Sequence, residues 1–427
     1  MLYKLCPTYR CMILSNKYGG GNRENMNCEE LESKKLAIEK LISSERYFKE
    51  GLLSKQVVEE AIEKAIKKID QNITQFGERF PAPATKNNSY ETIGNIEWTN
   101  GFWTGQLWLA YEYTGDKKYK ELSEKHVESF HHRITNNMEV DHHDLGFLYT
   151  PSCVAAYKLT GNETAKEAAI LAADKLISRY QENGKFIQAW GELGAEDNYR
   201  LIVDCLLNIP LLYWAADITG KNHYREIAHN HYQTTIKNAI REDASAFHTF
   251  YFDPATGNPL YGKTRQGYSD SSSWARGQAW LIYGIALNYS YLPNETAIPQ
   301  FEAVTNYFLN RLPEDFVCYW DLIFGKEDNQ SRDSSAAAIA VCGMNLMDKY
   351  LPATHRYKEV YRYSAHAILK ELIARYTDDL SNNATALINH GVYSWHSGKG
   401  VDEGNNWGDY YYLEALIRYY KDWEMYW

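Results

Sequence analysis

Two aspartates stand at the polar start of strongly apolar segments, where a carboxylate is chemically unusual. Asp144 follows two histidines in residues 141–147, and Asp204 lies within the apolar run 201–208. A bare charge beside an apolar core is costly, so each carboxylate must be neutralised, hydrogen-bonded or functional. Because the chain also has 12 tryptophans and 35 tyrosines, the pair indicates acid–base chemistry on a sugar.

The sequence neighbours of the two aspartates predict different protonation states. Leu, Ile and Val precede Asp204 and Cys, Leu and Leu follow it, which predicts desolvation and the raised pKa that a proton donor needs near neutral pH. Asp144 has histidines and a glycine nearby, so we expect a wetter, more cationic setting and an ionised carboxylate. Opposite environments are typical of divided roles. The alternative is that each aspartate caps a helix N-terminus.

Tryptophans recur in the predicted loops and helix starts near the two aspartates. Indole rings stack on sugar rings and donate hydrogen bonds to hydroxyls, so clustering of these rings at one end of the fold favours a carbohydrate site. Ordinary core packing is the alternative for any single ring. The tryptophans concerned are Trp98, Trp103, Trp190, Trp274, Trp280, Trp395 and Trp407.

Cationic and polar side chains in the same segments would offset the net charge of −10 locally and bind a uronate carboxylate. Arg276 is the first candidate, because it lies at a predicted helix start where a partly buried guanidinium needs an anion. An ion pair with a structural carboxylate is the alternative for this residue, and a satisfied loop histidine is the alternative for His248. The candidates are His143, His248, Gln266, Arg276 and Lys399.

Six segments repeat one pattern, a polar or aromatic start followed by a long apolar helical run. They begin near Trp98, Asp144, Asp204, Trp274, Arg332 and Trp407. Amphipathic, charged segments alternate with them, and glycines at 115, 161 and 220 predict helix ends. Because helices that are apolar all round must be buried, the pattern predicts an all-α (α/α)6 barrel with six inner and six outer helices. An irregular helical bundle or an open solenoid is the alternative.

Composition bounds the remaining properties of the chain. No Pro/Gly/Ser-rich linker divides residues 50–427, and we interpret residues 30–427 as one catalytic domain after a disordered extension at residues 1–29. A misassigned start, with Met26 as the alternative, is the other interpretation of residues 1–29. The net charge of −10 argues against a nucleic-acid partner, and no apolar stretch is long enough to span a bilayer. Seven scattered cysteines predict free thiols in a reducing compartment, the cytoplasm. Adjacent histidines at 142 and 143 make a poor metal pair, so we expect neither metal nor cofactor.

From about residue 53 to residue 427 the chain closely resembles the unsaturated glucuronyl hydrolases of glycoside hydrolase family 88, which implies the same barrel. The motifs that carry the resemblance occur in order along the chain. They are Glu97–Trp103, Asp141–Phe147, Asp204 with Asn208, Phe247–Phe250, Gln266–Tyr268, Trp274–Trp280 and Trp407–Tyr410.

The resemblance implies cleavage of a 4,5-unsaturated uronic acid from oligosaccharides that polysaccharide lyases leave behind. It implies that Asp204 is the general acid and base and that Asp144 holds ring hydroxyls. Which residue contacts the uronate carboxylate stays open. The positions that match substrate contacts are Trp98, His143, Trp190, His248, Gln266, Arg276, Trp280 and Tyr393.

Residues 393–399 resemble the sulfate-recognising segment of family members that act on sulfated glycosaminoglycans. Ser394, Ser397 and Lys399 would there hold a sulfate on the neighbouring amino sugar, and two hydroxyls with an ammonium suit an anion. The expected partners are therefore unsaturated chondroitin or hyaluronan oligosaccharides, with 6-sulfated disaccharides preferred. The alternatives are a solvated turn for this segment, and for the chain an unsaturated rhamnogalacturonyl hydrolase or a non-catalytic protein that binds lyase products.

Overall fold

Two concentric rings of helices make up the computed structural model, which describes residues 35–378 and 383–427. The extension predicted at residues 1–29 lies outside the described residues. Residues from Lys35 onward form one compact unit. The helices alternate between the rings along the chain, as the predicted (α/α)6 barrel requires.

The inner ring consists of helices that are buried almost all round. Consecutive inner helices pack on one another, and the last packs against the first, which closes the ring. The inner helices are α3 (Asn100–Thr114), α5 (Leu145–Tyr149) with α6 (Ala155–Thr160), α8 (Pro210–Thr219), α10 (Ala275–Tyr291), α12 (Ser334–Asp348) and α14 (Asn406–Tyr420).

The outer helices bury one face against this ring and expose most of their charged residues to water. A short helix, α1 (Glu45–Glu50), precedes them. The outer helices are α2 (Lys55–Phe76), α4 (Lys117–Thr135), α7 (Glu163–Ile177), α9 (Asn222–Ala239), α11 (Ala297–Leu309) and α13 (Lys358–Arg375). The glycines predicted to end inner helices do so in left-handed conformation, with φ of 71°, 70° and 69° at Gly115, Gly161 and Gly220.

Every described strand lies between the end of an outer helix and the start of the next inner helix, so the strands collect at one end of the barrel. The three-stranded sheet joins β5 to β6 and β6 to β7 in antiparallel pairs. The strands are β1 (Phe80–Pro81), β2 (Thr92–Ile93), β3 (Tyr180–Gln181), β4 (Phe186–Ile187), β5 (Arg200–Ile202), β6 (Thr249–Phe252), β7 (Pro259–Lys263), β8 (Gly391–Ser394) and β9 (Lys399–Glu403).

Two inner segments are interrupted where the sequence predicted continuous helices. A π-helical turn, Thr150–Val154, separates α5 from α6 and contains Pro151, which lacks the N–H that an α-helix would use there. Asp204 lies in a 3-10 turn, Val203–Leu207, and α8 begins only at Pro210, since proline is favoured in the first turn of a helix.

Two bulk expectations can be compared with the described part of the chain. None of its helices combines the length and the apolar character that a membrane span needs. Its four cysteines, Cys153, Cys205, Cys318 and Cys342, are all buried and unpaired.

Candidate active site

A cavity of about 330 Å³ opens at the end of the barrel where the inner helices begin. Of the thirteen site residues proposed from the sequence, nine line it. They are Trp98, Asp144, Trp190, Asp204, His248, Gln266, Arg276, Trp280 and Tyr393. The cavity thus combines two carboxyls, cationic and amide groups and indole rings.

Asp144 and Asp204 lie side by side, with His143 between them. The Nε2 atom of His143 is 3.2 Å from Oδ1 of Asp144 and 3.7 Å from Oδ1 of Asp204. Burial lowers the pKa of His143 well below its usual value, so the imidazole is neutral and these contacts are not ion pairs. The two carboxyls therefore interact with each other without a neighbouring cationic histidine.

Asp204 meets the expectation of a proton-holding acid. Its pKa is raised well above the usual range, first by burial and then by the nearby negative charge of Asp144. Its Oδ1 atom is buried and has no hydrogen-bond partner, while the side chain keeps 16% exposure in the cavity. A carboxyl in this setting holds its proton and still remains accessible to a ligand.

The expected wet, cationic setting of Asp144 is wrong. The residue is buried, and desolvation raises its pKa to about 7 although it accepts two hydrogen bonds. Trp190 Nε1 donates to Oδ2 at 2.8 Å and Asn208 Nδ2 donates to Oδ1 at 3.4 Å. The histidines that suggested positive charge are neutral, since burial lowers the pKa of His142 to about 3.

The difference between the two carboxyls thus comes from hydrogen bonding rather than from solvent. Both are desolvated, but donors to Asp144 favour its ionised form, whereas Asp204 lacks a donor on its buried oxygen. When the pair holds a single proton, that proton belongs on Asp204. Neither aspartate caps a helix through its side chain: the helix at Asp144 shows no such bond, and Asp204 lies inside its 3-10 turn.

His248 presents a defined tautomer to the cavity. Its Nδ1 accepts hydrogen bonds from the backbone N–H groups of Arg265 and Gln266, at 2.9 and 3.1 Å. Burial lowers its pKa to about 3, so the ring is neutral and its hydrogen is on Nε2. His248 is therefore a loop histidine whose Nδ1 is hydrogen-bonded within the protein, which was the alternative interpretation of the sequence. Its Nε2–H group is still available to donate a hydrogen bond to a ligand.

Arg276 forms the structural ion pair that the sequence left open as an alternative. Its Nη1 donates to Asp333 Oδ2 and to the Val392 carbonyl, both at 2.6 Å. Its Nη2 donates to Gln266 Oε1 at 2.7 Å and to the Tyr393 carbonyl at 2.9 Å. The guanidinium therefore fastens the β8 backbone and Gln266 to the cavity wall, and its charge is balanced by Asp333.

Four of the seven tryptophans considered line the cavity, and three do not. Trp98, Trp190, Trp274 and Trp280 face it. Trp103 is instead a core residue that packs edge-on against Phe76. Trp407 is buried behind Trp98, with ring centroids 5.3 Å apart, and Trp395 stacks on Trp320. The predicted clustering was too broad, because helix starts also supply residues to the core.

Ser394, Ser397 and Lys399 do not line the cavity but share the β8–β9 hairpin that adjoins it. Ser394 is paired with Lys399 across the hairpin, and Ser397 Oγ donates to the Ser394 carbonyl at 3.3 Å. Lys399 Nζ lies 4.4 Å from the ring centroid of Tyr393, which lines the cavity. The hairpin thus places two hydroxyls and an ammonium beside the cavity rather than inside it.

A close backbone approach brings the segments of the two aspartates together. A Cβ added to Gly146 would lie 2.3 Å from the Cα of Asn208, so only glycine fits there. Asn208 Oδ1 accepts from the Phe147 N–H at 2.9 Å, while its amide reaches Asp144. Gly146 and Asn208 therefore set the separation of the carboxyls.

Gly146→Ala is expected to lower the melting temperature by several degrees and to reduce kcat more than tenfold. The methyl group would collide with the Asn208 backbone and push the two segments apart, and overpacking costs about 1–3 kcal/mol. Thermal unfolding together with initial rates measures both effects. Gly115→Ala is the control for the rate. An alanine there is also strained, because Gly115 has a left-handed φ of 71°, but the residue lies at the end of α3 away from the cavity and kcat should stay unchanged. Near-normal rates in Gly146→Ala would contradict the assignment.

His143, Asp144 and Asp204 also offer three metal-ligand atoms within 4.8 Å of one another. The sequence reasoning considered only the adjacent histidines and missed this cluster. A metal would need both carboxyls deprotonated, whereas burial raises the pKa of each. A shared proton accounts for the geometry, and the absence of a metal requirement stays a prediction.

Four lining residues were not among the sequence candidates: Glu97, Arg200, Ile202 and Arg265. Arg200 and Ile202 lie in β5, four and two positions before Asp204. Side chains two apart on a strand share a face, so recognising this short strand would have placed Arg200 and Ile202 on the same side of the chain, directly before the turn that carries Asp204.

The comparisons with known proteins agree with this fold. The sequence profile of Glycosyl Hydrolase Family 88 matches residues 64–424. The chain is 59% identical over 394 residues to an unsaturated chondroitin disaccharide hydrolase of Streptococcus agalactiae serotype III (strain NEM316), covering 92% of this chain and 99% of that protein. A crystal structure of unsaturated glucuronyl hydrolase from Streptococcus agalactiae superposes with a TM-score of 0.92 at 59% identity, covering 93% and 100% of the two chains.

A crystal structure of a mutant of that hydrolase, complexed with dGlcA-GalNAc6S, superposes with a TM-score of 0.85 at 55% identity, covering 93% of this chain and 100% of that one. Because the family profile matches most of the chain and the identity to a relative is 59% over 394 residues, the chain belongs to glycosyl hydrolase family 88. The (α/α)6 barrel and the glycosidase class predicted from the sequence are confirmed.

Proposed function

We propose that this chain releases 4,5-unsaturated uronic acid from lyase-generated glycosaminoglycan disaccharides of the chondroitin or hyaluronan type. The observation that carries the proposal is the accessible, desolvated Asp204 beside a hydrogen-bonded Asp144 in a cavity lined with indole rings. The names of the similar hydrolases, which refer to unsaturated chondroitin disaccharides and glucuronyl groups, support the same substrate class.

The reaction begins with proton transfer from Asp204 to C4 of the substrate. The C4=C5 bond is part of an enol ether, so protonation at C4 leaves positive character on C5 and the ring oxygen. Water then adds to C5, and the Asp204 carboxylate takes the proton that this water loses. The resulting hemiketal opens by breaking the bond between C5 and the ring oxygen, and the hemiacetal at C1 releases the neighbouring sugar.

Asp144 acts as the ionised partner in this scheme. Burial raises the pKa of Asp204 first, and the charge of Asp144 raises it further, so that the donor stays protonated. During protonation of C4 the same charge stabilises the cationic transition state, because it acts across a desolvated site. Its carboxylate also accepts hydrogen bonds from the hydroxyls of the sugar ring, while hydrogen bonds from Trp190 and Asn208 hold the carboxylate in place.

The roles of the two carboxyls in this reaction differ from the roles of the carboxyl pair in ordinary glycosidases. Retaining and inverting enzymes place their pair on opposite sides of the anomeric carbon, and the separation of the pair determines the outcome. Here one residue is acid and then base at C4 and C5, so the close placement of Asp144 and Asp204 around His143 is compatible with the chemistry.

The direct test is incubation with a panel of unsaturated disaccharides while the ultraviolet absorbance of the enol ether is followed. We expect loss of absorbance with chondroitin and hyaluronan disaccharides and little with pectin-derived rhamnogalacturonan disaccharides. Selective turnover of the pectin-derived substrates would favour the rhamnogalacturonyl alternative, and binding by calorimetry without product would favour a non-catalytic binding protein.

We further propose that the β8–β9 hairpin selects a 6-sulfated amino sugar. Support comes from the two hydroxyls and the ammonium that Ser394, Ser397 and Lys399 place beside the cavity. A relative of the chain forms a complex with dGlcA-GalNAc6S, a disaccharide that carries such a sulfate.

Replacement of Ser394 and Ser397 by alanine together with Lys399→Ala is expected to raise KM for the 6-sulfated disaccharide about tenfold. Charge-assisted hydrogen bonds to the sulfate are lost, and tenfold corresponds to about 1.4 kcal/mol. The unsulfated disaccharide is the internal control, because its KM should change little. An equal rise for both substrates would contradict the selection of sulfate by this hairpin.

We propose that residues 30–427 form a single catalytic domain. We also propose that the protein acts in the cytoplasm. The support for a reducing compartment is the set of buried, unpaired cysteines in the described part of the chain. Fractionation of the native host with antibody detection tests this location.

A further inference from the structure

One face of the three-stranded sheet continues outward from the cavity. The register pairs Arg200 with Tyr251 and Tyr251 with Tyr261, and it pairs Thr249 with Lys263. Side chains of cross-strand partners lie on the same side of a sheet. Because Arg200 lines the cavity, Tyr251, Tyr261 and Lys263 extend the cavity wall along this face.

The opposite face of the sheet packs on the core. Leu201 and Phe250, which alternate with the residues above, are both buried. The ring of Phe247 lies where a Cβ of Gly262 would be, which shows how closely the core approaches the sheet there. On β5 and β6 this opposite face is therefore closed to a ligand, whereas the outermost strand, β7, is exposed along most of its length.

An arginine and two tyrosines form a ladder across the three strands. The guanidinium carbon of Arg200 lies 5.7 Å from the ring centroid of Tyr251, and the rings of Tyr251 and Tyr261 stack at 5.0 Å with an interplanar angle of 19°. Tyr251 is buried, but Tyr261, on the last strand of the sheet, is 53% exposed. The ladder thus begins in the cavity and ends in an exposed aromatic ring.

Three cationic side chains on or next to this ladder, Arg200, Lys263 and Arg265, form no ion pair in the described part of the chain. Arg200 is only 4% exposed, and no salt bridge involves it, Lys263 or Arg265 within residues 35–378 and 383–427. Arg200 Nη1 donates to the Asp197 carbonyl and to Asn198 Oδ1, yet its buried Nε has no partner. In a chain with a net charge of −10, three unpaired cations beside one cavity indicate a local anion site.

We propose that this face, which we call the ladder surface (Arg200, Tyr251, Tyr261, Lys263 and Arg265), binds the leaving-side sugars of unsaturated oligosaccharides longer than a disaccharide. The proposal rests on the proposed function and deepens it. An occupant must present sugar rings for stacking and regularly spaced negative charge. A glycosaminoglycan chain has both, because a uronate alternates with each amino sugar.

The physical fit has two parts. The exposed ring of Tyr261 offers a flat apolar face for a sugar ring. Strands lie about 4.8 Å apart, so Arg200 and Tyr261 are separated by about two such spacings, and a chain leaving the cavity meets a cation first and an aromatic ring further out. Lys263 lies two residues further along β7 on the same side of the sheet, where we expect it to meet the carboxylate of a second uronate.

The test compares an unsaturated hyaluronan-type tetrasaccharide with the corresponding disaccharide. Tyr261→Ala and Lys263→Gln are each expected to raise KM for the tetrasaccharide about fivefold, as the loss of one exposed contact does. The constants for the disaccharide should stay unchanged, since neither residue lines the cavity. Leu260→Ala is the matched control, because Leu260 is 52% exposed on the same strand outside the ladder.

Two results would overturn the ladder surface. One is an unchanged kcat/KM for both the tetrasaccharide and the disaccharide in both variants. The other is an equal loss of kcat/KM for the two substrates, which would indicate a structural role. Calorimetry of tetrasaccharide binding to Asp204→Asn, with and without Tyr261→Ala, gives a reading that does not depend on turnover. Absence of disaccharide cleavage by the unaltered protein would instead refute the proposed function. In that case calorimetry would still show whether the ladder surface binds the tetrasaccharide.

Discussion

Asp204→Asn is expected to lower kcat by about 100- to 10,000-fold, the range for loss of a general acid or base. The amide has nearly the same shape as the carboxyl but cannot give a proton to C4 or take one from water. Because Asp204 has no protein partner on its buried oxygen, the exchange breaks no existing hydrogen bond there. Single-turnover and steady-state assays of enol ether loss measure the effect.

Circular dichroism and the melting temperature show whether the Asp204→Asn protein is folded. Removal of a desolvated carboxyl should leave its stability equal to or above that of the unaltered chain. Asp217→Asn, which changes an exposed aspartate of α8 paired with Arg225, is the matched control and should retain full activity. Turnover within a few fold of normal in Asp204→Asn would refute the assigned acid.

Asp144→Asn is expected to lower kcat by about 100-fold and to change the pH profile in a defined direction. The active form carries one proton, on Asp204, and the two carboxyls titrate as a pair. Protonation of Asp144, whose pKa is raised to about 7, produces the acid limb of the profile. Deprotonation of Asp204 produces the alkaline limb at higher pH.

The sign of the shift follows from the charge of Asp144. That negative charge raises the pKa of Asp204, so replacing it with a neutral amide lowers this pKa. The alkaline limb of kcat/KM should therefore move to lower pH, and the acid limb due to Asp144 should disappear. Trp190→Phe is the companion variant: it removes a donor to the Asp144 carboxylate and should move the acid limb upward. An alkaline limb that stays in place in Asp144→Asn would show that the two carboxyls do not interact.

The architecture was predictable from the sequence because it depends on patterns that recur along the chain. Apolar runs such as Ala275–Tyr291 must be buried, and amphipathic runs such as Lys117–Thr135 must cover them. The raised pKa of Asp204 was predictable for a related reason: its apolar sequence neighbours are also its spatial neighbours in a tight 3-10 turn.

The surroundings of Asp144 were not predictable, because they depend on residues distant in sequence. Trp190 and Asn208, 46 and 64 positions away, donate its hydrogen bonds. Burial, which sequence neighbours did not indicate, removes the charge of His142. The ion pair of Arg276 with Asp333, 57 positions away, likewise required the closed ring. Local composition suggests which groups are polar, but tertiary packing decides their charge.

The most direct test of the central claim is infrared difference spectroscopy of the carboxyl C=O stretch at a pH above the pKa of Asp144, which is about 7, so that Asp144 itself is ionised. A protonated carboxylic acid absorbs apart from carboxylates and amides, and subtraction removes other buried acids such as Asp409, whose pKa is raised to about 8 by burial. We predict that the unaltered protein minus Asp204→Asn shows a protonated carboxyl band, and that Asp144→Asn retains this band. A band that survives in Asp204→Asn but vanishes in Asp144→Asn would place the proton on the other aspartate and contradict the account.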